Sequence, residues 1–408
     1  MGFKSSKNGT VPSAKDATSP RGIPFMYNTG DNTTLPTSTT KIIASDAAAS
    51  DEFGYSVAVG SGRIVVGARY DDDNGTFSGS AYVFDLNGTQ LAKITASDAA
   101  AGDFFGWSVA VGSGRIVVGA YADDDNGTTS GSAYIFDLDG NQIAKITASD
   151  GAANDYFGWS VAVGSGSIVV GAYGDDDNGT TSGSAYVFDL DGNQITKITA
   201  SDGAGGDKFG YSVAVGSGKI VVGAYDNDVN GINSGSAYIF DLDGNQLVKK
   251  TASDAAAGDL FGISVAVGSG RIVVGASFND DNGSNSGSAY IFDLDGKQLA
   301  KITASDAAAS DEFGYSVAVG SGRIVVGAYL DFIGSAYVFD LDGNQIAKII
   351  ANDPAADDYF GISVAIGSGR IVVGAPRSDD NGSDSGSAYI YTTPRVVTPY
   401  DVQDWNRT

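Results

Sequence analysis

The sequence predicts an all-β protein: a seven-bladed β-propeller of four-stranded antiparallel blades, closed by an N-terminal strand that completes the last blade. Three observations predict it. Phe-Gly recurs at Phe53, Phe105, Phe157, Phe209, Phe261, Phe313 and Phe360, in five steps of 52 residues and a last one of 47, and a fixed period of this size means one supersecondary unit, repeated. Each unit holds four short β-type runs bounded by turn residues. The ends are complementary. The last unit stops at Tyr391 without a fourth run, whereas Lys41-Ile42-Ile43-Ala44-Ser45-Asp46 aligns without a gap to Lys93-Ile94-Thr95-Ala96-Ser97-Asp98 and stands ahead of the first Phe-Gly. An orphan fourth strand at one end and a missing one at the other close a ring; an open solenoid would carry atypical caps instead.

In the first unit the opening strand, Ser56 to Val59, is built of small residues, as an innermost strand must be where blades converge on an axis. The Gly60-Ser61-Gly62 turn leads to a second strand, Arg63 to Val66, whose Ile64-Val65-Val66 run predicts burial on both faces. The third, Ser80 to Leu86, carries Tyr82 and Phe84. Asn87-Gly88, replaced by Asp139-Gly140 and Asp191-Gly192 in later units, predicts a type I′ hairpin into the fourth strand, Gln90 to Thr95. That outer strand repeats a lysine at Lys93, Lys145, Lys197, Lys249, Lys301 and Lys348, an edge charge expected to discourage sheet-to-sheet pairing.

Composition narrows the function. The 408 residues include neither Cys nor His, which removes disulfides, thiolate chemistry, histidine-ligated metals and every imidazole-based triad. The expectation is a protein that is not an enzyme. A net charge of -25 repels phosphate backbones, so nucleic acid is not an expected partner, while cations and basic surfaces are. No apolar run reaches a membrane-spanning length, and the start lacks the apolar stretch of a secretory signal. The expectation is no membrane insertion, and a protein assembled from the cytoplasm into a virion or brought to an extracellular surface without such a signal. Residues 1–39 read as an extended polar arm, mildly basic through Lys4, Lys7, Lys15 and Arg21; residues 40–391 as the propeller; and residues 392–408 as a tail holding Tyr400 and Trp405. Arm and tail are expected either to be disordered or to order on protein partners.

FGYSVAVGSGRIVVGA followed by SGSAYVFD resembles the FG-GAP repeat of bacterial and phage proteins, over residues 41 to 391. The resemblance implies a seven-bladed propeller of the group that includes integrin α-subunit heads, with adhesion or protein recognition as its work and no catalysis. It also implies calcium, which integrin-type repeats hold in an Asp-rich loop between the Phe-Gly and Gly-Ala-Pro strands. Here that connection is Gly-Ser-Gly, so the cage cannot be carried over, and Gly-Ala-Pro itself survives only at Gly374-Ala375-Pro376.

The acidic loop of each unit follows Gly-Ala instead. Six copies share Asp-x-Asn-Gly, placing Asp72 with Asn74, Asp124 with Asn126, Asp176 with Asn178, Asp228 with Asn230, Asp280 with Asn282 and Asp379 with Asn381; the fourth adds Asp226. Residues two apart in an extended segment point the same way, so each pair could give Ca2+ two of the six to eight oxygens it takes. The other reading is a glycine-ended turn in which Asp and Asn bond their own backbone. Loops between units carry Asp pairs five apart, from Asp46 and Asp51 to Asp353 and Asp358. They are expected on the same rim, capping the turn ahead of Phe-Gly. Tyr55, Trp107, Trp159, Tyr211 and Tyr315, each following a Phe-Gly, are expected to fill space between blades rather than to stack on sugar.

The function expected first is a recognition or structural propeller displayed on a virion, as a capsid decoration or a tail or fibre component, or on another extracellular surface, where it meets a host protein or glycan. The alternative is a secreted calcium-dependent adhesin for glycans or proteins. A third reading, a carboxylate-only polysaccharide hydrolase, needs only two acids, but near-identical loops offer no distinct centre.

Overall fold

The computed structural model describes residues 39–393, so the arm and tail lie outside the described residues except for Thr39, Thr392 and Thr393. Twenty-eight strands build seven four-stranded antiparallel sheets, with no helix among the described residues. In blade 1, Phe53–Gly60, Arg63–Ala68, Ser80–Phe84 and Gln90–Ile94 pair in chain order. Blades 2 to 6 repeat this order. Blade 7 takes Val364–Gly367, Arg370–Ala375 and Ser387–Thr392 from the end of the propeller, and Thr39–Ile42 from its beginning as the fourth strand. Thr40 lies opposite Ile390 and Lys41 opposite Tyr389, the closure that the incomplete ends predict.

The Phe-Gly and Gly-Ala elements of the repeat have one physical cause. Gly67 faces the carbonyl of Gly106 in the next blade so closely that a Cβ would overlap it, and Ser56 Oγ donates to that carbonyl at 2.8 Å. Glycine therefore lets two inner sheets meet backbone to backbone. The same serine-to-carbonyl bond runs from Ser108 to Gly158, Ser160 to Gly210, Ser212 to Gly262, Ser264 to Gly314, Ser316 to Gly361 and, across the closure, Ser363 to Gly54 at 2.8 Å. The last interface is thus equivalent to the other six. Phe53 wedges into the space between blades 7 and 1, edge-on to Tyr82 at 5.4 Å and to Phe84 at 5.9 Å, among Ile42, Ala388 and Ile390.

The hairpins differ from expectation. The type I′ turn belongs to the inner hairpin, where Ser61 and Gly62 both have positive φ between the paired Gly60 and Arg63. At the outer hairpin only Gly88 is positive; Gly88 N–H bonds the Asp85 carbonyl at 3.1 Å, and Asp85 N–H bonds the Thr89 carbonyl. This is a longer, bulged loop. Its cause is Asp85, whose Oδ1 accepts from the backbone of both Asn87 and Thr89 at 2.8 Å and so holds the loop as far as Thr89 in place.

The strand order sends the loops after Gly-Ala and the loops between blades to one rim, where they bond each other, as in Gly102 N–H to the Thr76 carbonyl at 2.9 Å. The Gly-Ser-Gly and outer hairpins form the opposite rim. There Arg63 reaches into blade 2, donating to the Leu138 carbonyl and pairing with Asp139. The described chain also ends at this hairpin rim, since Thr39 pairs with Tyr391 and Thr393 N–H bonds the Gly369 carbonyl.

Candidate functional site

The acidic rim repeats one arrangement around the ring. Lys93 lies across from Tyr82, and its ammonium runs back over that ring to a nest of Asp46 at 2.8 Å, Asp71 at 2.9 Å and Asp73 at 2.5 Å. Tyr82 Oη donates within the same nest, 2.9 Å from both Asp46 and Asp71. Lys145 with Asp98, Asp123 and Asp125, and Lys197 with Asp150, Asp175 and Asp177, reproduce it. In these two nests the carboxylate oxygens lie within 4.8 Å of one another, a spacing that could hold a metal ion. The lysine expected to guard the outer edge is thus turned inward. Its side chain is only 18% exposed in blade 1, because pairing with Tyr82 aims it along the sheet toward the acids.

The remaining blades vary the nest without losing the lysine. Lys249 bonds Asp202 and the Asn227 amide oxygen, while Lys301 bonds Asp254, Asn279 and Asp281. Lys348 bonds Asp306 and Asp331. Lys41, from the closing strand, bonds Asp353 and Asp380, so ring closure also completes the seventh nest. Burial disfavours the charge on Lys93, but the bonds to its acids outweigh it and hold the ammonium well above its ordinary value. Burial likewise opposes the charge on Asp46, and Lys93 and Tyr82 overcome it, lowering that carboxyl.

Asp51, the second acid of the interblade pair, behaves oppositely. It is 5% exposed, and its Oδ2 accepts from Ala48 N–H at 2.7 Å, which is the turn cap expected of it. Burial pushes its carboxyl up to about 6, with the charge of Asp71 adding to the effect. Asp155 and Asp311 are raised to the same level for the same reasons. Blade 4 places Asn227 at the Asp71 position, and its amide donates to Asp207 at 2.9 Å.

The residues singled out as calcium ligands lie beside these nests rather than in them. Asp72 Oδ1 accepts from Phe77 N–H at 2.6 Å, and Asp124, Asp176, Asp228, Asp280 and Asp379 accept equivalently from residues five further on. Asn74, Asn126, Asn178, Asn230, Asn282 and Asn381 have exposed side chains, and their backbone N–H groups bond a serine four residues on. Asp226 pairs with Lys208 at 2.7 Å. The converging acids are their immediate neighbours, Asp71 and Asp73 in the first loop. Period-two alternation within the loop was the available signal, with the opposite parity.

A second feature of this rim breaks the sevenfold symmetry. Tyr55, Trp107, Trp159, Tyr211 and Tyr315, with Ile263 and Ile362, do not fill the gaps between sheets; they line a cavity of about 160 Å³ at the axis. Around it, the residue before Phe-Gly varies among Glu52, Phe104, Tyr156, Lys208 and Leu260, and the one after Gly-Ala among Arg69, Tyr121, Ser277 and Pro376, while the scaffold repeats. Blades 1 to 4 carry an aromatic arc: Phe104 stacks on Tyr121 at 5.5 Å, Trp107 meets Trp159 at 4.6 Å, Tyr156 stacks on Tyr173 at 5.0 Å, and Tyr211 meets Tyr225 at 4.4 Å. Arg69 lies over Tyr55 at 3.5 Å and pairs with Glu52 at 2.5 Å. In blade 5 the matching positions are Leu260, Ile263 and Ser277.

A family model described as the FG-GAP repeat matches seven stretches, residues 36–84, 89–136, 141–188, 193–240, 245–292, 297–339 and 344–391. No curated protein matches the chain.

Proposed function

The chain belongs to the FG-GAP repeat family, and from that premise we propose that it is a recognition propeller without catalytic work, displayed on a virion or another extracellular surface, with its acidic rim turned toward a host protein or glycan. One observation carries this reading: around the axis on one rim, blades 1 to 4 gather Trp, Tyr and Phe side chains with Arg69, whereas blade 5 places Leu260, Ile263 and Ser277 there. A scaffold alone has no need for such differences. Trp, Tyr and Arg are also the side chains that anchor binding surfaces, because they offer large rigid area with a polar tip. Support for display comes from Thr39 and Thr393, where the chain leaves the ring at the opposite rim; the arm and tail beyond them would attach the ring to protein partners. The acid nests point away from hydrolysis, since in all seven the interblade acid, Asp46 in the first and Asp353 in the last, is bonded by both a lysine and a tyrosine.

The test is binding of the labelled full chain to host cells, alongside detection of the chain in purified particles. Trp107→Ala with Trp159→Ala should abolish cell binding and Arg115→Ala, on the hairpin rim, should not. Equal binding by both variants would overturn the assignment of the rim. A calcium-dependent adhesin is the second reading, favoured by the acid groups Asp98, Asp123, Asp125 and Asp150, Asp175, Asp177. Chelation separates the two: binding that survives EDTA supports the first.

A further inference from the structure

In its family, the repeat implies calcium in the connection between the first two strands of a blade. That connection here is Gly60-Ser61-Gly62, a tight turn with no carboxylate, and it does not fit a hard cation that takes six to eight oxygens. The acids that do converge, on the other side of Gly-Ala, meet around an ammonium. In blade 2 Lys145 Nζ lies 2.7, 2.9 and 2.5 Å from Asp98, Asp123 and Asp125, of which Asp123 is buried. Such a group of carboxylates, partly removed from water, needs a counter-charge to coexist. One lysine supplies it in every blade, including the blade closed by Lys41.

We propose that the outer-strand lysine is the propeller's own resident cation, doing for the acidic rim what a bound divalent ion would do, and that the nest around Lys145 is a latent calcium site uncovered when the ammonium is removed. The ring is then complete without calcium. Blade 4 supplies the internal control, since Asn227 and Val229 stand there for two of the three carboxylates, and the nest around Lys249 retains Asp202 alone.

The experiment uses the full chain and Ca2+ or Tb3+ alone. Wild type should melt at the same temperature in EDTA and in millimolar Ca2+. Lys145→Ser should melt several degrees lower in EDTA and recover at least half of the loss in Ca2+. It should also give tyrosine-sensitised Tb3+ emission, because Tyr134 Oη lies 3.0 Å from both Asp98 and Asp123. Lys249→Ser should lose stability without recovery. If Lys145→Ser does not fold in EDTA, Lys145→Gln, which keeps neutral donors, takes its place with the same two readouts. A wild-type melting temperature that rises in Ca2+, no recovery and no emission from either Lys145 variant, or equal recovery by Lys249→Ser would each overturn the proposal.

Discussion

Asp51, Asp155 and Asp311 offer the sharpest quantitative test of the acidic rim. Each is buried next to a second carboxylate, Asp71, Asp175 or Asp331, and each is raised from its ordinary 3.8 to about 6. A carboxyl raised on folding binds its proton more tightly in the native state. Stability therefore increases as pH falls from above 6 toward 4, and is lost as pH rises through 6. The full displacement corresponds to about 3 kcal/mol per site; allowing half for relaxation and water leaves roughly 1.5 kcal/mol, or about 4.5 kcal/mol for three distant sites that add. Asparagine should remove the cost, because its oxygen can keep the bond from Ala48 N–H while its amide donates to Asp71, the mirror image of Asn227 bonding Asp207 at 2.9 Å. The triple variant Asp51→Asn, Asp155→Asn, Asp311→Asn is expected to melt roughly 6 °C above wild type at pH 7.5, given the entropy of unfolding about 350 residues. The difference should shrink toward zero at pH 4.5. Thermal melts across pH 4.5 to 8 read both. A triple variant that is less stable at pH 7.5, or a wild type whose melting temperature does not rise between pH 7.5 and 5, would refute the reasoning.

Three further outcomes follow from the packing. Gly67→Ala should cost roughly 2–3 kcal/mol, since its Cβ meets the Gly106 carbonyl and neither blade can yield without opening the interface; denaturant unfolding measures it, and a loss within 0.5 kcal/mol would count against the close approach of the inner sheets. Tyr134→Phe removes the hydroxyl shared by Asp98 and Asp123 and should cost roughly 2 kcal/mol by the same assay. Arg69→Ala should leave the melting temperature within about 2 °C while exposing Glu52 and Tyr55, seen as a changed tyrosine and tryptophan emission, because Arg69 packs against the axial aromatics rather than the blade cores.

Strand count, strand order and closure were all legible in the chain, because each is written seven times and a local pattern suffices to read it. The destinations of side chains were not. Lys93 looks like an edge charge when read beside Leu91 and Thr95, yet its partners are 47, 22 and 20 residues back along the chain, a distance no local period reports. Asp72 and Asn74 read as ligands because Asp-x-Asn-Gly has the composition of a cation loop. In a turn that reverses direction, however, Asp72 is the residue that caps the backbone, and its neighbours face the nest. The outer hairpin departs from its composition for a related reason. Asn87-Gly88 has type I′ composition, but the Asp85 side chain draws in two backbone N–H groups and lengthens the loop, whereas Ser61 accepts a left-handed backbone between two glycines. For the axial aromatics the sequence supplied position within the repeat but not distance from the axis, and that distance decides whether they line the opening or fill a core.

The closed ring rests on residues 39–42 pairing with the last strand, and the absence of native cysteine makes that pairing directly measurable. Thr40→Cys with Ile390→Cys places two thiols on partner positions of adjacent strands, 350 residues apart in sequence. Mild oxidation of the dilute protein should join them within one chain, consuming both thiols and giving a faster-migrating monomer on a non-reducing gel. Thiols that stay free, or that link only between chains, would contradict closure of the propeller by its own N-terminal strand.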